Sequence, residues 1–165
     1  MKKIAVIIFS LLLMQGVSAQ KFVVPEIPGD GNVEKSEYAN YTQDAMNCID
    51  WLKTHSPSDP QREEVSTYAL WWLTGTPDVH MVLTPDVLKF EDGNLLILLL
   101  AGWGQYAIQN KDDNQLKGCL AGINTALDYY VKYRKELPKD KGAEKFLKLR
   151  NKGKLQAYLG KFLPV

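Results

Sequence analysis

Apolar residues recur at three- and four-residue steps through most of this chain, and no useful run alternates apolar with polar, so the elements it predicts are helices. The first covers about Glu34 to Thr54, where Tyr38, Tyr41, Ala45, Cys48, Ile49 and Leu52 share a face and Ser56-Pro57-Ser58 ends the run. The second opens at Asp59 and Pro60, places Glu63 and Glu64 where the helix dipole favours acids, buries Val65, Tyr68, Ala69, Trp72 and Leu73, and stops at Gly75. The third, Leu95 to Ile108 behind a capping Asn94, is apolar almost all round. A helix without a polar face is buried in a domain or a membrane. At roughly 14 residues it is too short to span a bilayer, so it is expected to be the central helix.

Gly102 and Gly104 inside that helix each cost up to ~1 kcal/mol against Ala, and close approach by a neighbouring backbone is the expected compensation. The fourth helix, about Asp112 to Glu136, offers such a neighbour. Gly118 and Gly122 lie one turn apart on it, beside a continuous face of Leu116, Cys119, Leu120, Ile123, Leu127, Tyr130 and Val131, and Pro138 closes it. Two short amphipathic helices follow, about Lys141 to Asn151 and Lys154 to Phe162, separated by Gly153 and anchored by Phe146, Leu149, Leu155, Tyr158, Leu159 and Phe162. Between the second and third helices, Thr76-Pro77-Asp78-Val79 recurs as Thr84-Pro85-Asp86-Val87, which predicts a linker and then a short helix from about Pro85 to Phe90. The fold class is therefore all-α: a compact single-domain helical bundle of about five to seven helices.

The N-terminus carries a different pattern. Met1-Lys2-Lys3 is basic, Ile4 to Met14 is apolar apart from Ser10, and Val17-Ser18-Ala19 places small residues at a cleavage site. That order is a secretory signal peptide, and its apolar part is far below the ~20 residues of a membrane span. The expected division is a signal peptide over 1–19 with cleavage after Ala19, an extended and poorly ordered lead-in over 20–33 with a turn at Pro28 to Gly31, and a helical domain over 34–165. The mature chain is expected to be periplasmic or extracellular, without a transmembrane segment.

Export changes the reading of the cysteines. Cys48 and Cys119 are the only two, and an oxidising compartment favours their pairing. A bridge across 71 positions is worth on the order of 4 kcal/mol in the chain-entropy model, and both residues fall on core-facing stripes, so a disulfide between the first and fourth helices is expected. Two free buried thiols are the alternative. Charge adds an asymmetry: residues 20–130 carry 7 Lys/Arg against 16 Asp/Glu, whereas residues 131–165 carry 11 against 3. Such a split marks a basic contact surface or a set of solvated helix faces.

The chain carries few chemical motifs. Its two histidines, His55 and His80, fall in expected loops, and no zinc spacing, EF-hand, P-loop, nucleophile elbow or haem attachment motif occurs. Gly102-Trp103-Gly104 follows no strand, so it is no dinucleotide fingerprint. Glu63-Glu64, Glu91-Asp92 and Asp112-Asp113 are adjacent pairs, but neighbours on a helix point about 100° apart and so do not face one substrate. His80 with Asp78 is the one base-and-orienter pair on offer. Aromatic and basic residues suggest contact instead. Trp71 lies off the apolar face of the second helix, and Tyr129 and Tyr133 lie off that of the fourth, among Lys132, Arg134 and Lys135. These are the candidate partner contacts; the alternatives are that the 76–92 linker covers Trp71 and that the tyrosines pack against the C-terminal helices.

No catalytic, cofactor or metal site emerges. The expected role is an exported, non-enzymatic binding module of the bacterial envelope, its partner another envelope protein or an anionic envelope polymer rather than nucleic acid. A periplasmic chaperone or toxin inhibitor, and an enzyme of unfamiliar type using Trp71 to Asp92, are the competing expectations.

Overall fold

The computed structural model describes residues 22–164; the expected signal peptide and the cut after Ala19 lie outside the described residues. The architecture is all-helical, with no strand among the described residues. A 3-10 turn over Lys35–Tyr41 leads into α1 (Thr42–Thr54), followed by α2 (Arg62–Gly75), α3 (Gly93–Asn110), α4 (Gln115–Lys132), α5 (Lys141–Asn151) and α6 (Leu155–Leu159). No described helix is long and apolar enough to cross a membrane.

The centre is α3. It packs mainly on α4 and also touches α1 and α2, which pair with each other; α5 and α6 lie on the far side of α4. Gly102 and Gly122 form the seam between α3 and α4. A methyl at Gly102 would stand 2.5 Å from the Thr125 hydroxyl, and one at Gly122 would overlap the Leu99 carbonyl. Gly118 is filled from the other side by the Trp103 indole. The expected close approach of two backbones therefore holds at Gly102 and Gly122, whereas Gly104 makes room for the Leu73 side chain of α2 instead.

Caps differ in detail from expectation. Asp92, rather than Asn94, caps α3, accepting from the Asn94 and Leu95 amides at 2.9 and 3.3 Å. Asn114 caps α4 through the Lys117 amide, so α4 starts later than expected. The helix expected at Pro85–Phe90 is only a turn, in which Thr84 accepts from the amides of Val87 and Leu88. A single turn makes too few backbone bonds to propagate as a helix.

The lead-in differs more. Residues 22–33 pack against the body as a strap rather than trailing free. The Phe22 ring sits 6.0 Å from Trp51, the Gln61 amide donates to the Phe22 carbonyl at 3.0 Å, and Val24, Ile27 and Val33 contact the core. Positive φ at Gly29 and Gly31 (57° and 87°) makes the expected turn, which brings the strap onto α2.

The disulfide is not formed. Cys48 and Cys119 are free and fully buried, overturning the expected bridge. Both stripes face the core, but α3 packs against α1 and α4 alike, and those two helices meet only marginally. A shared core is a weaker condition than the close Cα approach that a bridge needs.

Candidate partner-binding surface

The aromatic and basic residues of α4 converge on the C-terminus of α1. Tyr129 is buried, and its hydroxyl donates to the His55 carbonyl at 2.9 Å. The Tyr133 hydroxyl and the Lys132 ammonium donate to the Thr54 carbonyl at 2.5 and 3.1 Å. From α2, Arg62 reaches the same end: its Nη1 donates to the Leu52 and His55 carbonyls at 3.1 and 3.3 Å, and its Nε donates to Asn94 Oδ1 at 2.5 Å. The guanidinium lies 4.7 Å over the Tyr129 ring. Burial lowers the Arg62 pKa, with Tyr129 and Asp92 opposing the change. The last carbonyls of a helix are its unsatisfied, negative end, and cationic donors are what that end attracts.

These contacts relocate the candidate residues. Tyr129 presents no surface to a partner. Tyr133 and Lys132 pack on α1, not on the C-terminal helices. Trp71 is covered by the strap and the 3-10 turn rather than by the 76–92 linker: its indole donates to the Gly31 carbonyl at 2.8 Å and meets the rings of Tyr38, Tyr41 and Tyr68. Arg134 bonds Glu144 and lies 5.6 Å over Tyr130. Lys135 remains exposed.

His80 pairs with Asp113 rather than Asp78, Nδ1 to Oδ2 at 3.3 Å, and its side chain is 70 % exposed. It therefore lies on open surface, without the walls that would keep water from a reacting group. Both thiols are pushed up to about 12, Cys48 by burial and then by Asp44, Cys119 by burial alone, so neither is a ready thiolate. Among the described residues, no group of three or more His, Cys, Asp or Glu is arranged to hold a metal ion. The larger clefts are shallow. One of about 630 Å³ between strap and α2 is walled by Val24, Ile27, Glu63, Glu64 and Tyr68.

What remains outward is the C-terminal basic face. α5 buries Gly142, Ala143, Phe146 and Leu147. Lys141, Lys145 and Lys148, with Lys152 at the C-cap one turn on, fall within a stripe of roughly 60° directly opposite. All four are exposed. Lys141 reaches Glu91 only at 3.7 Å, and Lys145 bonds the Tyr158 hydroxyl at 2.9 Å; among the described residues, Lys148, Lys152, Lys154 and Lys161 meet no carboxylate.

One residue that the sequence reading passed over positions this face. Asp140 is 1 % exposed. Its Oδ2 accepts from the amides of Glu91 and Asp92 at 2.6 and 2.8 Å, and its Oδ1 from the Ala143 amide at 2.7 Å. One carboxylate thus caps α5 and ties it to the segment entering α3. Asp three residues before Ala143 does have the spacing of a cap; its second attachment has no local signal.

Comparison of the chain with protein-family models, with curated proteins and with solved structures finds no match.

Proposed function

We propose that this protein is an exported helical binding module whose α5–α6 face engages an anionic partner in the bacterial envelope. The observation that carries the reading is the lysine stripe: four cations in register on the outer side of α5, while Tyr129, Tyr133 and Lys132 are engaged by the carbonyls at the end of α1. Lysines at this spacing repel one another, and an arriving anion relieves that repulsion. The acidic remainder of the chain supplies no carboxylate to Lys148 or Lys152 among the described residues, so this face keeps its positive potential. The test is retention of the purified protein on dextran sulfate against neutral dextran. Retention is expected to fall with rising salt and to be lost in the K148E/K152E double variant with its helix content unchanged. Equal retention on both matrices, or an unaffected double variant, overturns the reading.

A further inference from the structure

The segment between α2 and α3 ends against the packed side of α5 and borders the lysine stripe at two points: Glu91 lies 3.7 Å from Lys141, and the Tyr158 hydroxyl joins Asp86 to Lys145. Asp140 holds the amides of Glu91 and Asp92, Gly142 leaves room for the Lys89 carbonyl where any side chain would overlap it, and the Tyr158 hydroxyl donates to Asp86 at 3.1 Å. Leu88 lies between two of these attachments and is 40 % exposed, although its neighbour Val87 is fully buried. Earlier in the same segment, Leu83 is 45 % exposed. Gln115 holds that stretch, accepting from the Val82 amide at 2.7 Å and donating to the His80 carbonyl at 3.0 Å, and the next residue, Leu116, reaches α6 at Gly160. The segment therefore runs along the α5–α6 side of the molecule, with Leu83 near the start of α4 and Leu88 between Asp86 and Glu91, the two residues that border the lysine stripe.

We propose that α5 and this segment together form a peripheral docking surface for a bilayer carrying anionic headgroups. The proposal rests on the anion-binding reading above and names its occupant. A helix that binds membranes alone turns its own apolar face to the acyl boundary. In α5 that face is already in the core, behind Phe146 and Leu147, so the apolar share comes from Leu83 and Leu88 on the docked segment. The lysines supply attraction over about 10 Å at ordinary salt, and their methylene stems lie along the interface while the ammonium groups reach the phosphates. A hydrated polyanion would use the cations but has no partner for the leucines; a bilayer uses both.

The experiment is co-sedimentation of purified protein with vesicles of phosphatidylcholine alone and of phosphatidylcholine with phosphatidylglycerol. The protein is taken as export would leave it, from Gln20 onward, so the apolar leader does not contribute to sedimentation. The protein is expected to bind the anionic vesicles and release with salt. K145E/K148E is expected to weaken binding by more than about tenfold. L88S is expected to weaken it about fivefold while leaving retention on dextran sulfate unchanged, a difference that charge alone does not produce. Equal binding to both vesicles, or an L88S variant indistinguishable from wild type, overturns the bilayer assignment. Retention on dextran sulfate without vesicle binding does so as well and leaves the anion reading standing; loss of both removes both.

Discussion

Helices α3 and α5 solve opposite problems with the same backbone. α3 is hemmed in by α1, α2 and α4, and Gly102 lets α4 approach so closely at Gly122 that no side chain fits between them. α5 uses one side for packing and sets Lys141, Lys145 and Lys148 on the other. A helix packed on three sides specifies the fold and leaves only a partly covered strip, at Leu96, Ile97 and Leu100. A helix at the margin keeps a whole face in solvent, available to a partner. Between them sits Asp140, whose carboxylate joins the start of α5 to the residues that enter α3.

The comparison breaks most easily at the seam. G122A places a methyl against the Leu99 carbonyl, a backbone atom that cannot swing aside, and is expected to cost about 3 kcal/mol or more in urea unfolding. A loss below about 1 kcal/mol would mean that the helices separate freely and that the seam is not tight. Next comes the junction. D140A leaves the Glu91, Asp92 and Ala143 amides without their acceptor and is expected to cost about 2 kcal/mol by the same measurement.

A smaller effect belongs to the rim of the seam, where Asp112 accepts from Tyr106, Lys117 and the Asn114 amide; these bonds lower its pKa to about 2. A carboxylate whose folded pKa lies below its unfolded value contributes stability above the unfolded value and loses it as pH falls through the folded one. The stability difference between wild type and D112N is therefore expected to narrow as pH falls from 3.8 to about 2. A difference that stays constant over that range would show the carboxyl to be unpaired in solution. Smallest of all, K148E/K152E is expected to change stability by no more than about 0.5 kcal/mol, because both side chains stand in solvent. A large loss would show the lysine face to be part of the packing and would erase the contrast with α3.

Much of this was legible in the chain. The helical periods, the buried character of α3, the paired glycines of α3 and α4 and the bounds of α5 all follow from spacing within one segment. The lysine stripe was equally present, at Lys141, Lys145, Lys148 and Lys152, but a basic excess looks the same whether or not it is neutralised. Tyr129, Tyr133 and Lys132 stood out for the same composition that marks a contact surface. They turn inward because the end of α1, some 75 positions earlier, carries carbonyls that need donors.

What the sequence determined by itself is therefore local: which residues coil into helices, which side of each is apolar, and where two backbones have room to meet. Those properties depend on neighbours within a turn or two. Tertiary structure decided the rest: that the strap covers Trp71, that Cys48 and Cys119 are free thiols, that Asp140 joins α5 to the entry of α3, and that the aromatic cluster of α4 closes α1. Each of these outcomes is a distance between segments far apart in the chain, set by how all the helices pack at once.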